Sequence, residues 1–189
     1  MTGPTTLTKR TVLVVLLAAA CVTLVSGSQA WVSGSVDDAG LGASLLRGKG
    51  SDIAPAALAA AVVGLASAVA TATSGARVRI LAACSALSAS LLGVAVVASV
   101  LLDPGGALGR LAAAGTARSG TLVTHGRAGI WAWVALVAML VMGLASLGAL
   151  VAGRTWHGLP SRYDAGKPKA GQASAWEQLS RGEDPTAEA

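Results

Sequence analysis

The sequence has no phenylalanine, one tyrosine, two histidines and two cysteines among 189 residues, and only 12% of it is charged. Each scarcity excludes something. An average soluble domain carries roughly 25% charged residues, spread along the polar faces of its helices. Here the charges cluster and leave four long stretches empty of them. The histidines and cysteines show no metal-ligand spacing. Cys21 and Cys84 fall inside apolar runs, where a thiol behaves as a small hydrophobe; the sequence leaves a disulfide between them open. Those runs contain no Asp, Glu, Lys, Arg or His, the groups that membrane enzymes and ion-coupled transporters place at membrane depth. No residue can be assigned as catalytic, cofactor-binding or metal-binding.

What is present is mostly Ala, Leu, Val and Gly, with a mean hydropathy of +0.66. The strongest run is Ala128–Gly153, with no ionisable residue over 26 positions. At 1.5 Å per residue that is roughly 39 Å of helix, enough to cross a hydrocarbon core of about 30 Å with some tilt. Arg127 precedes it, Trp131 and Trp133 sit one turn inside, and Arg154 and Trp156 follow. Aromatic and basic residues at both ends of an apolar span suit a lipid boundary. Trp31, Trp131, Trp133, Trp156 and Tyr163 are the expected interface anchors.

Three further runs match this template. Thr11–Val32 follows Lys9–Arg10 and has two readings. A secretory signal would end at the small residues Ser28-Gln29-Ala30, whereas a retained helix would use Trp31 as its anchor. Ser33–Asp52, with mixed charge and five glycines, reads as a surface loop. Ile53–Ser74 is the second span, its Pro55 tolerated in a first helical turn. Gly75–Arg79 reads as a short turn and Ile80–Leu102 as the third span, stopped by Asp103-Pro104-Gly105-Gly106. Leu111–Ala114 in the next loop suggests a short interfacial helix. Small residues recur at every fourth position: Ala60, Gly64, Ala68 and Ala72; Ala82, Ala86 and Ser90; Ala145, Ala149 and Gly153. In lipid such faces let helices approach closely, within one chain or in a homo-oligomer. An alanine-rich helix also shows such stripes by chance.

The formal charge of +5 and the basic pI do not point to nucleic acid. Lys and Arg flank the spans instead of forming one patch. Lys9, Arg10, Arg77, Arg79, Arg154, Arg162, Lys167, Lys169 and Arg181 fall on one side of a four-span arrangement. Arg47, Lys49, Arg110, Arg118 and Arg127 fall on the other. Nine against five predicts a multi-pass cell-membrane protein with both termini cytoplasmic. The expected fold is all-α: a four-helix bundle in the bilayer over residues 1–155, with helices near 11–32, 53–74, 80–102 and 128–153. Residues 156–189 form a disordered cytoplasmic tail. His125 and His157 lie outside the spans on opposite sides.

The tail carries its own pattern. Asp164–Ala173 is a Gly, Lys, Pro and Ala linker. Ser174-Ala175-Trp176-Glu177 then matches a capping box, starting a helix near 175–181 with Trp176 and Leu179 on one face. Two turns are too short to be stable alone in water. A tethered marginal helix with a Trp anchor suits a docking peptide for a cytoplasmic protein, with Trp176, Leu179, Arg181, Asp184 and Pro185 as its contact residues. The plainer alternative rests Trp176 on the membrane surface or on the protein's own cytoplasmic face.

Two tail segments, WHGLPSRYD at 156–164 and WEQLSRGEDPT at 176–186, resemble the juxtamembrane and terminal motifs of the tryptophan-associated transmembrane proteins. That family is encoded beside tryptophan biosynthesis genes in high-GC bacteria. SQAWVSG, Ser28–Gly34, resembles the end of its first span, which favours a retained helix over a cleaved signal. The resemblance implies four membrane helices and a link to tryptophan metabolism, and it implies no reaction. Two functions remain open. One is a non-enzymatic membrane protein whose tail docks a cytoplasmic partner. The other is a small carrier or channel component for tryptophan, indole or a related aromatic metabolite.

Overall fold

The structure, a computed structural model, describes residues 8–38, 42–116 and 123–152. Four helices in it are long and apolar enough to cross a membrane: α1 (Lys9–Gly27), α3 (Pro55–Thr73), α4 (Ala76–Leu102) and α6 (Ile130–Ala152). Each packs against two neighbours in the cyclic order α1, α3, α4, α6, and successive spans run in opposite directions. The remaining elements gather at the end of the bundle where α1 finishes and α6 begins. They are β1 (Ala30–Asp38), β2 (Gly42–Lys49), the single turn α2 (Gly50–Ile53), α5 (Pro104–Thr116) and β3 (Val123–Ala128).

The bundle is built inside out relative to a water-soluble one. Its interior holds small and hydroxylic residues such as Ala57, Ala61, Ala86, Ala135, Thr23 and Ser146. Its outer surface holds the branched chains, among them Val14, Val62, Leu81, Leu91 and Leu144. In water that surface would be one large sticky patch. In lipid it costs nothing, and the helices associate because small residues let their backbones pack closely. The four-residue stripes lie largely in this interior: Ala60, Gly64 and Ala68 on α3, Ala82, Ala86 and Ser90 on α4 and Ala149 on α6 are buried, Ala72 and Ala145 are half-buried, and Gly153 lies outside the described residues. Two methionines fill what the glycines leave open. A Cβ on Gly93 would meet Met139 Sδ at 2.6 Å, and one on Gly64 would meet Met142 Sδ.

The hydroxyl groups inside the bundle are satisfied within it, as the absence of water at that depth demands. Thr23, Thr71 and Ser146 return their hydroxyls to the carbonyls four residues earlier. Ser67 and Ser85 join α3 to α4 at 2.8 Å. Ser90 Oγ donates across to the Met139 carbonyl of α6, also at 2.8 Å. That carbonyl belongs to a helical backbone, so losing the hydroxyl removes only an extra bond. Ser90→Ala is accordingly expected to cost about 0.6 kcal/mol, read as a small fall in the thermal midpoint of the detergent-solubilised protein.

At the far end, α3 and α4 are joined by Ser74 and Gly75 alone. The third span therefore starts at Ala76, earlier than the expected Ile80, and Arg77 and Arg79 belong to its first turns. Close basic groups compensate the exposed carbonyls that end α3. Lys9 Nζ donates to the Ala72 carbonyl at 2.9 Å, and Arg79 Nη2 lies 3.5 Å from that of Ser74. A cation at the negative end of a helix is stabilising, which is what keeps so tight a link favourable.

The expected loop at Ser33–Asp52 is instead mostly sheet. Strands β1 and β2 pair antiparallel from Ala30↔Lys49 to Asp38↔Gly42, with an irregularity between Ala30 and Val32. Strand β3 adds antiparallel to the other side of β1, from Val32↔Ala128 to Asp37↔Val123, giving the order β2-β1-β3. The first span consequently ends at Gly27 instead of running to Val32, because Trp31 and Val32 are strand residues. Asp103 ends α4 as the sequence suggests, but Pro104 also opens α5, with the Asp103 carboxylate accepting the Gly106 N–H at 2.8 Å. Leu111–Ala114 falls within this longer helix. The expected tail, including its short helix, lies outside the described residues.

Candidate functional site

At the sheet end the organising residue is Trp31. Its sequence position suggests a lipid-boundary anchor; the structure instead buries it completely. Its indole Nε1 donates to the Ser26 carbonyl at 2.8 Å and lies 3.1 Å from Ser26 Oγ. Ser26 Oγ donates in turn to the Trp131 carbonyl at 2.7 Å. The Trp31 carbonyl accepts from Gly129 N–H at 2.6 Å, and Gly50 N–H donates to the Gln29 carbonyl at 3.1 Å. Gly50 has no side chain where the indole lies, so a Cβ there would collide with the ring. Trp31 thus ties the end of α1 to the starts of α2 and α6. Burying the ring while satisfying its N–H removes any gain from placing it at a wet boundary.

Trp131 and Trp133, in the first turn of α6, are 38% and 51% exposed. Trp133 also lines an apolar groove of about 610 Å³ between α1 and α6, beside Val15, Ala19, Val22, Ile130 and Val137. Trp156, Tyr163 and the docking residues Trp176, Leu179, Arg181, Asp184 and Pro185 lie outside the described residues. Cys21 and Cys84 are free thiols on the bundle's outer surface and are not bridged.

A second feature, which sequence reasoning missed, is a cleft of about 780 Å³ on the sheet. Residues in register on adjacent strands project from the same face. Ser33 is paired with Arg47 on one side and Arg127 on the other, so the two arginines flank its hydroxyl. Ser35 is likewise flanked by Leu45 and His125. Ser33, Arg47, His125 and Arg127 are exposed, and Leu45 is 91% exposed. Gly34 and Gly126 pair between them, and both are required by crowding. A Cβ on Gly34 would overlap the His125 carbonyl oxygen, and one on Gly126 would meet the Pro104 carbonyl at 2.7 Å. Among the described residues no group of three potential metal ligands occurs. The signal that could have revealed the site is the alternation Val32-Ser33-Gly34-Ser35-Val36, a period-two pattern, together with the spacing of Arg127 just before the last span.

No curated protein and no solved structure matches this sequence. A family's sequence profile does, over nearly the whole length, and it covers both the tail motifs and the four spans. With residues 12–186 matched, the chain belongs to the tryptophan-associated transmembrane protein family.

Proposed function

We propose that this protein is a non-enzymatic membrane scaffold with both termini in the cytoplasm, whose tail docks a cytoplasmic partner of tryptophan metabolism. Trp176 and Leu179 are the anchors of that contact, with Arg181, Asp184 and Pro185 beside them. The observation that supports this reading is the filled interior of the bundle. Met139 and Met142 extend into the places beside Gly93 and Gly64, and the interior hydroxyls bond backbone carbonyls or each other. Packing of this kind holds a shape and leaves recognition to surfaces outside it. Lys9, Arg77 and Arg79 at the end opposite the sheet support the cytoplasmic orientation. The family assignment supports the link to tryptophan metabolism.

Affinity purification in mild detergent tests it, comparing wild type, Trp176→Ala and a chain ending at Gly171. A partner held by wild type should be lost from both variants, by about tenfold or more for the single substitution, as for a buried aromatic hot spot. Equal recovery from all three would overturn the docking reading. The carrier reading draws its support from the apolar groove between α1 and α6, whose size and Trp133 suit an indole ring. It requires flux of labelled tryptophan or indole into vesicles that survives removal of the tail.

A further inference from the structure

We propose that the exposed face of the sheet is a binding site for an oxyanion, a phosphate or carboxylate group held between Arg47 and Arg127 over Ser33. Three observations carry this. The first is the register: Arg47, Ser33 and Arg127 occupy one row across three strands. Neighbouring strands lie about 4.8 Å apart, which sets the two arginine backbones roughly 10 Å apart. Two long side chains leaning inward across that gap can each present a guanidinium edge to one tetrahedral or planar anion, a bidentate geometry that lysine does not provide. The Ser33 hydroxyl, between them, is a third donor.

The second observation is the charge balance. Among the described residues, the cleft is lined by Arg47, Arg127 and His125 and by no acidic residue. The carboxylate in the chain turn beside it, Asp103, is already engaged by the Gly106 N–H at the start of α5. Asp37 shares the alternation of Ser33 and Ser35 but stands four residues along β1 from Ser33, and Asp38 closes the strand. Two guanidinium groups on one row of a sheet repel each other, and a shared anion converts that repulsion into attraction. The third observation is location. Arg127 stands three residues before α6, whose first turn carries Trp131 and Trp133, and Leu45 is exposed beside the basic row. This places the cleft within reach of lipid headgroups as well as of solutes on that side of the membrane. A phosphodiester headgroup and a free anion are two sources of the same chemistry.

The test uses the full-length protein in neutral detergent and in nanodiscs. Inorganic phosphate and acetate are titrated against the detergent form. Bound phosphatidylglycerol is counted by native mass spectrometry after exchange from phosphatidylcholine nanodiscs into a phosphatidylcholine–phosphatidylglycerol mixture. Arg47→Gln with Arg127→Gln is compared with Arg110→Gln, which removes an equal kind of charge from α5 at the same end. Amide exchange over β1 and β3 checks that the sheet stays formed. The affinity for the anion should fall about tenfold for each cleft arginine removed and stay within about twofold for Arg110→Gln. Saturable binding of phosphate or acetate identifies a soluble anion; retention of phosphatidylglycerol alone identifies the headgroup. If neither binds, or if the double variant with an intact sheet behaves as wild type or as Arg110→Gln, the site is refuted.

Discussion

Trp31→Ala is expected to destabilise the protein by about 3–5 kcal/mol, the range for truncating a fully buried aromatic residue. Three losses combine. The indole leaves a void against Gly50 and the ends of α1 and α6. The Ser26 carbonyl loses a donor, and the chain from Trp31 through Ser26 to the Trp131 carbonyl is broken at its first link. Trp31→Phe separates these contributions. It keeps most of the ring and loses the N–H, so it should cost about 1–2 kcal/mol. The measurement is the thermal midpoint in detergent alongside amide exchange over residues 123–129. Helical circular dichroism should hardly change, because the spans remain paired while the sheet end loosens. A Trp31→Ala protein with wild-type midpoint and protection would remove Trp31 from its organising role.

Gly34→Ala should be nearly as damaging although it adds one methyl group. That methyl would overlap the His125 carbonyl oxygen and come within 2.9 Å of Gly126 Cα. Both neighbours are backbone and cannot rotate away, unlike the methionine tips beside Gly64 and Gly93. β3 must therefore withdraw from β1, at a cost of about 3 kcal/mol. Gly75→Ala is the internal control: nothing lies within 4 Å of the added atom, its φ is −69°, and the expected change is near zero. The same substitution type with opposite results would show that crowding, not glycine content, is responsible. Loss of phosphate binding in Gly34→Ala would result from the displaced Arg127.

The spans are legible in the sequence because a bilayer makes a coarse demand, some twenty apolar residues with no charge, and four runs meet it. That demand sets neither the residue at which a span stops nor the structure of the segment after it. Apolar content alone extends the first helix through Trp31 and Val32. The pairing of Val32 with β3 and the bond of the Trp31 carbonyl to Gly129, about half the chain away, are what end α1 at Gly27. The strands themselves are weak in isolation: β2 is Gly-Ala-Ser-Leu-Leu-Arg-Gly-Lys and β3 is Val-Thr-His-Gly-Arg-Ala, neither rich in the β-branched and aromatic residues that favour sheets. Glycines that signal a loop locally are here the condition for close strand approach. Arg77 and Arg79 mislead for a related reason. Two arginines suggest water, yet the carbonyls ending α3 give Lys9 and Arg79 partners and let α4 begin at once.

The strand order β2-β1-β3 also sets a timetable for biogenesis. β1 and β2 are adjacent in sequence and can pair as soon as both have been synthesised. The opposite edge of β1 must wait for residues 123–128, which come after two further spans. Until then the nascent protein carries an unpaired strand edge, the kind of surface that recruits other chains. Arrival of β3 closes that edge, and the last span follows two residues later in the chain. Completion of the sheet and completion of the membrane domain are therefore one late event in the life of the chain.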